Sequence, residues 1–215
     1  MKMMVRKIDA DNVEAHVLAE AAAILRAGGV VAFPTETSYG LAADPRSTAA
    51  VRKIFAIKGR PESKPLPLIA TNVAAVRRAF VVTVSLRPLA TRWPAPLTLV
   101  LPRRAGQRLP ALLGRRDGAV RVPASAWARA LATASGGLIT ATSANVSGQP
   151  NLYSGGAIHR AFATHSAQPD LLLDGGRLKP RPPSTIVAVR HNQPVVLRQG
   201  ELTITTKKTA QGQPR

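Results

Sequence analysis

The stretch from Gly28 to Leu66 sets the tightest limits on how this chain can fold. A Gly-Gly break leads into Val30-Val31-Ala32-Phe33, an apolar run long enough for a buried strand and too short for a globular helix. Proline follows at once, and between Pro34 and Gly40 the sequence gathers Thr35, Glu36, Thr37, Ser38 and Tyr39, more polar functionality than a chain reversal needs. Ser47 is placed to cap a helix over 48–57 with Val51, Ile54 and Phe55 on its apolar face. That helix delivers Lys58-Gly59-Arg60-Pro61, two cations about a glycine, which reads as an anion clamp. Lys58 also suits the negative end of a helix, so a structural role stays open to it.

The flanking pattern is mixed. Asp11 and Glu14 have capping-box spacing ahead of a helix carried by Val13, Val17, Leu18, Ala21, Ile24 and Leu25. Asn72 is placed to cap a short helix ending near Phe80, Ser125 one reaching Thr133, and a further helix is expected over 156–162. Strands are expected at 66–70, 97–101, 119–122, 138–141, 171–173, 185–189 and 195–197. The arginine-rich residues 102–118 read as an exposed, mobile excursion, and 177–185 as a flexible connector. The fold class is therefore α/β: a twisted sheet flanked by helices, mixed parallel and antiparallel because several connections are too short for a helical crossover. One domain over residues 1–200 is expected, followed by a flexible basic tail over 201–215 in which 201–205 is a candidate edge strand.

Charge narrows the partners. Thirty Lys and Arg against eleven Asp and Glu give +19, and between Ser63 and Pro169 the only acid is Asp117. Such a field draws polyanions, whether nucleotide, RNA or acidic lipid, without choosing among them. Having no cysteine excludes thiolate nucleophiles, disulfides and the usual structural zinc sites. The four histidines lack metal-ligand spacing, and no metal ligand from the protein is assigned. P-loop, dinucleotide-binding, zincin and nucleophile-elbow signatures do not occur in their required settings. No apolar segment approaches the roughly 18 residues of a spanning helix, and the N-terminus carries charges where a secretory signal needs its apolar core. A cytoplasmic location without a membrane partner is expected. Aromatic residues make up 4%, too few for a base-stacking platform.

Several further residues are candidates for chemistry. Thr142-Ser143-Ala144-Asn145-Val146-Ser147-Gly148, following a strand, is either a hydroxyl-rich cap or a phosphate cradle in which Ser143 and Ser147 donate and Asn145 bridges. Thr35 is either satisfied locally or held over a pocket at a strand end. Arg121, within the otherwise apolar Val120-Arg121-Val122, either faces outward or meets a substrate carboxylate in a bidentate contact. Ser184-Thr185 and Arg198 lie at strand ends, where they can close over a nucleotide or serve the fold.

PTETSYGL from Pro34, KGRPESKPL from Lys58, WPAPLTLVL from Trp93, VRVP from Val120, TSANVSG from Thr142, STIV from Ser184 and LRQG from Leu197 together resemble the YrdC/TsaC family of threonylcarbamoyl-AMP synthases, in order as well as motif. The resemblance runs from about Ala15 to Gly200, and the length is similar to that of the family's single-domain form. It implies a YrdC-like fold with a basic concave surface. It further implies ATP-dependent condensation of L-threonine with bicarbonate or carbon dioxide, giving threonylcarbamoyl-adenylate and pyrophosphate. The product would pass to a separate tRNA threonylcarbamoyl-transferase machinery, and the basic surface allows direct contact with tRNA or other RNA. Carried over by matching position, Lys58 and Arg60 would be catalytic and bind ATP together with Ser143, Asn145, Ser184 and Arg198. Thr35 and Arg121 would bind threonine, and Mg2+ would arrive on ATP. Ser38, Ser125 and Ala188 depart from the family pattern, which bears on the acceptor site before the phosphate site. The alternative reading is a noncatalytic RNA- or ribosome-binding relative that uses the same basic surface.

Overall fold

A computed structural model describes residues 3–205. In chain order the elements are β1 (Met4–Lys7), α1 (Ala15–Arg26), β2 (Val31–Pro34), β3 (Tyr39–Ala42), α2 (Thr48–Lys58), β4 (Leu68–Ala70), α3 (Val73–Ala79), α4 (Arg87–Ala90), β5 (Leu97–Pro102), β6 (Asp117–Arg121), α5 (Ala126–Ala134), β7 (Leu138–Thr140), β8 (Thr142–Ser143), α6 (Gly155–Phe162), β9 (Leu171–Asp174), β10 (Thr185–Arg190) and β11 (Gln193–Arg198). Three of the expected caps form. Ser47 Oγ accepts from Ala50 N–H at 3.2 Å, Asn72 Oδ1 from Ala75 N–H at 2.8 Å and Ser125 Oγ from Ala128 N–H at 3.3 Å. The Asp11–Glu14 capping box does not form. Glu14 is the cap residue of α1 but makes no side-chain cap bond, and Asp11 N–H donates instead to Asp9 Oδ1 at 2.9 Å.

The strands divide between two sheets, β1-β9-β2-β3-β8 and β11-β10-β5-β6-β4-β7, where the sequence suggests a single one. Pairing is mixed as expected: β1 with β9, β2 with β9, β4 with β6 and β5 with β10 are parallel, and the remaining pairs antiparallel. Three strands are additions to the sequence reading, one of them the two-residue β8 on β3. β1 is a short N-terminal strand held on β9, and β3 returns directly after Thr35–Ser38, so the polar PTETSYG stretch is the tip of a hairpin.

The apolar faces show why the first sheet sits where it does. Along β2, Val31 and Phe33 pack with Val17, Leu25, Trp127 and Leu131 of α1 and α5, while Val30 and Ala32 pack in the other core cluster. β9 does the same, with Leu171 and Leu173 on the helix side and Leu172 opposite. Burial on both faces explains the near-continuous apolar runs of these strands. Each large side chain buried there contributes about 1.5–3 kcal/mol. Trp127 is fully buried, with its indole N–H donating to Asp9 O at 2.7 Å, which ties the N-terminal segment to α5.

The arginine-rich excursion is tied down by one of its own arginines. Arg103 Nη1 donates to Gly114 O at 2.6 Å and Arg115 O at 3.5 Å, and Nη2 to Pro110 O at 3.5 Å, so one guanidinium gathers three carbonyls of the returning loop. At the other end of the chain, residues 201–205 form no strand. They nevertheless pack: Glu201 N–H donates to Pro183 O, Thr185 Oγ1 to Leu202 O, and Ile204 is buried. The rest of the expected 201–215 basic tail, residues 206–215, lies outside the described residues. Replacing Arg103 by alanine strands carbonyls that the guanidinium satisfies; urea denaturation should show a loss of about 1–2 kcal/mol, and limited proteolysis new cleavage within 104–116. An unchanged midpoint with an uncut loop would contradict the anchoring role.

Candidate nucleotide and acceptor site

A cleft of about 350 Å³ opens between the two sheets. The first sheet contributes Tyr39, Gly40, Thr142 and Ser143, and the second Thr98, Arg121, Ile186 and Arg198. The hairpin tip adds Thr35 to the lining and the loop after α2 adds Arg60. Of the eight residues singled out in the sequence, Thr35, Arg60, Arg121, Ser143, Ser184 and Arg198 line this one cleft. Residues far apart in the chain are brought together by register: Arg121 on β6 lies opposite Ile69 of β4, and Thr98 on β5 opposite Ile186 of β10.

Lys58 and Asn145 sit behind the lining. Lys58 is 2% exposed, and its Nζ donates to Ser143 O at 2.5 Å, Asn145 O at 2.7 Å and Asn145 Oδ1 at 3.0 Å. Three acceptors consume the three protons of an ammonium. The backbone adds a fourth tie, Ser147 N–H to Lys58 O at 2.8 Å. Asn145 in turn accepts from Ser143 Oγ at 2.5 Å and donates through Nδ2 to Gln149 O. Lys58 thus holds the 143–147 turn from beneath, with its charge a short way behind the cleft surface. Burial, and then repulsion from Arg60, pulls its pKa from 10.5 to about 8. Ser147 Oγ, a donor in the sequence reading, is buried without a partner among the described residues and does not line the cleft.

Arg60 is steered by the bend that follows α2. Gly59 caps the helix in the left-handed region at φ 56°, and Arg60 N–H returns to Phe55 O. Its Nε and Nη2 donate to Lys64 O at 2.9 Å and Pro65 O at 3.3 Å. Arg198 donates through Nε and Nη2 to Ser184 O, and Ser184 Oγ shares a 2.9 Å hydrogen bond with Thr98 Oγ1. Desolvation holds both arginines below the ordinary guanidinium range, and for Arg198 the neighbouring Arg121 charge adds to it. Cations crowded in this way favour an anionic ligand.

Arg121 is not outward-facing. It is 9% exposed and its Nη1 pairs with Glu36 Oε1, while Glu36 Oε2 accepts from Ser125 N–H. Thr35 Oγ1 donates to Ser38 O at 2.7 Å and accepts from the Thr37 and Ser38 amides, so the hydroxyl builds its own turn. Both readings of Thr35 hold together: it is locally satisfied and it lines the cleft. Tyr39 donates to Gly176 O at 2.9 Å, and burial followed by the Asp174 charge raises its pKa, so the phenol stays protonated.

A profile of the Sua5/YciO/YrdC family, described as telomere recombination, matches residues 23–200. The chain belongs to the Sua5/YciO/YrdC family. Halorhodospira halophila threonylcarbamoyl-AMP synthase is 43% identical over 148 residues, covering 67% of this chain and 76% of the relative. The Pyrococcus abyssi synthase is 36% identical over 199 residues, covering 89% of this chain but 56% of the relative, so the chain spans little more than half of that protein. Among solved structures, P. abyssi Sua5 complexed with L-threonine superposes with a TM-score of 0.82 at 33% identity over 93% of this chain and 58% of that one. E. coli YciO superposes at 0.81 with 27% identity over 92% of this chain and 96% of its own.

Sequence reasoning overlooked Thr98 and Asn151 in the cleft of this family member, whereas Thr142 heads the stretch it offered as a phosphate cradle. Thr98 carried a usable signal, since it is a polar residue inside the apolar Leu97–Leu101 run, as Arg121 is in its own. Of the three departures, Ser38 lines the cleft, Ser125 caps α5 and donates to Pro34 O at 3.3 Å, and Ala188 is half-buried in β10. Among the described residues, no group of three or more His, Asp or Glu side chains could hold a metal, and no helix is long and apolar enough to cross a membrane.

The depressed Lys58 pKa fixes a sign. Between about 8 and 10.5 the unfolded chain holds this proton more tightly than the folded one, so Lys58's contribution to stability rises with pH across that window and is lower below it, where its charge stays buried. Thermal unfolding of wild type and Lys58→Met from pH 7 to 10 should shift the difference in favour of wild type. A difference independent of pH would mean that the three acceptors hold the proton throughout.

Proposed function

We propose that this protein is a threonylcarbamoyl-AMP synthase, joining L-threonine, bicarbonate or carbon dioxide and ATP with release of pyrophosphate. The observation that carries the reading is a cleft lined by Arg60, Arg121 and Arg198 with hydroxyls between them and no carboxylate, in a chain whose relatives bear that activity in their names. Such a lining suits a polyphosphate and an amino-acid carboxylate better than any neutral substrate.

In the proposed chemistry the neutral threonine amine attacks the carbon of CO2, and the nitrogen loses a proton as the carbamate forms. A carbamate oxygen then bonds to the α-phosphorus of ATP while the bond from that phosphorus to the bridging oxygen breaks, and pyrophosphate leaves with the bond electrons. No covalent protein nucleophile is required. What the chain supplies is alignment and a positive field at the phosphates. Arg60 projects that field from the cleft wall, and Lys58 adds its charge from beneath while keeping Ser143 in place. Ser184 and Arg198 hold the nucleotide from the opposite sheet. Arg121, oriented in advance by Glu36, takes the threonine carboxylate, and Thr35 shapes the turn against which threonine lies.

Mg2+ fits this site only as an ion brought by ATP, because the lining offers it no carboxylate; when bound it neutralises part of the phosphate charge. The product is a labile mixed anhydride, and its consumer in this reading is a tRNA threonylcarbamoyl-transferase machinery acting in the cytoplasm.

Labelled ATP with magnesium and bicarbonate should give pyrophosphate and threonylcarbamoyl-adenylate only when L-threonine is present. Failure in a folded sample that retains salt-sensitive RNA association would favour the noncatalytic RNA-binding alternative. Arg60→Ala should lower kcat/KM for ATP by about 100-fold. Arg121→Ala should raise the threonine KM by about tenfold or more with a smaller effect on ATP. Wild-type values in either folded variant would remove that residue from the site.

A further inference from the structure

A second cavity, of about 230 Å³, lies where the last turn of α3, the 104–109 loop and the turn from α5 to β7 meet, and it shares no lining residue with the cleft. Two guanidiniums converge there on consecutive glycines. A Cβ built on Gly136 would stand 3.1 Å from Arg46 Nη1, and one on Gly137 3.2 Å from Arg78 Nη2. Both glycines are in the left-handed half of backbone space, at φ 84° and 101°. The absent side chains are therefore what lets two like charges approach one short turn.

Only part of this charge is balanced. Arg46 commits Nε and Nη2 to Asp44, and Nη2 also donates to Ser135 O at 3.1 Å. Its Nη1 is the nitrogen that faces Gly136. The carbonyl of Arg78 accepts from Gln107 Nε2 at 3.0 Å, whereas its guanidinium has no hydrogen-bond or ion-pair partner among the described residues. Ser135, 4% exposed, lines the same cavity, and its Oγ is buried with no hydrogen-bond partner among the described residues. Ala75, Ala79, Leu109 and Leu138 supply an apolar wall.

Two guanidiniums of which only Arg46 is paired with a carboxylate, on a turn whose Ser135 hydroxyl lacks a partner among the described residues, make a site for a tetrahedral oxyanion, because planar forks match phosphoryl oxygens in pairs. Its concavity and apolar wall favour a compact ligand over a polymer backbone, which needs an open track of exposed charge. We propose that this cavity is a second ligand site, separate from the cleft, that binds the phosphoryl group of a small phosphate monoester. The phosphoryl oxygens meet Arg46 Nη1 and the Arg78 guanidinium, and the ligand's less polar part lies against Leu109 and Leu138.

Amide NMR localises the test. The Arg60→Ala protein, whose cleft is weakened, is titrated at constant ionic strength with inorganic phosphate, with AMP and with a short RNA duplex, and the Gly136 and Gly137 signals are followed. AMP should move both signals saturably and more tightly than phosphate. Adding Arg78→Ala should weaken AMP at least tenfold, Arg78→Lys should restore part of the loss, and Ser135→Ala should weaken it a few-fold. Arg78 is exposed, and unmoved signals elsewhere in the spectrum check that the fold is kept. Gly136 and Gly137 signals that stay still with both small anions, that move equally in the Arg78→Ala protein, or that respond to the RNA duplex alone would each overturn the proposal.

Discussion

The contact on which the cleft depends is the buried ammonium of Lys58. Side chain and backbone of this one residue tie the end of α2 to the 143–147 turn through Ser143 O, Asn145 O, Asn145 Oδ1 and the Ser147 amide. A cation with 2% exposure persists only because every proton it carries is accepted. Two segments 85 residues apart are thereby held at one distance, and with them the cleft residues Arg60 and Ser143. Polar residues fully satisfied in this way set geometry more sharply than apolar contact does, since removing one partner leaves the others unpaired.

Around that strut the cleft is built from positive charge that the fold only partly answers. Arg121 has Glu36, whereas Arg60 and Arg198 rest on carbonyl oxygens and lie below the ordinary guanidinium range. Anionic substrates relieve a repulsion already present, which is how a site gains affinity for charge without moving far. The hairpin tip works alongside it: Thr35 organises the Thr37 and Ser38 amides, and Glu36 leaves the same tip to orient Arg121. One short polar stretch thus both lines the cleft and orients Arg121 within it.

What the sequence revealed follows the range of the forces involved. The caps at Ser47, Asn72 and Ser125 were legible because each bond closes within three residues. The Asp11 cap misled because a rival acceptor, Asp9, lay as close in sequence. The partition into two sheets was hidden, since β1 finds its partner β9 far along the chain, and β3 was hidden by a polar hairpin tip that resembled a loop. Arg121 and Ser143, picked out by residue type, do line the cleft, yet the inward direction of Lys58 depends on carbonyls of a distant turn, which no local pattern encodes. The arginine-rich excursion misled for a related reason: composition suggested mobility, while the anchoring role of Arg103 required knowing where the loop returned.

Backbone hydrogen exchange across residues 143–147, in wild type and in Lys58→Met at neutral pH, tests the strut most directly. If Lys58 acts by holding the turn, its removal should accelerate exchange there by tenfold or more, the change expected from about 1.4 kcal/mol of lost local stability, while the strands of the first sheet keep their protection. Protection at 143–147 equal to wild type would contradict the account, all the more if turnover were lost at the same time, because Lys58 would then have to act on the nucleotide itself.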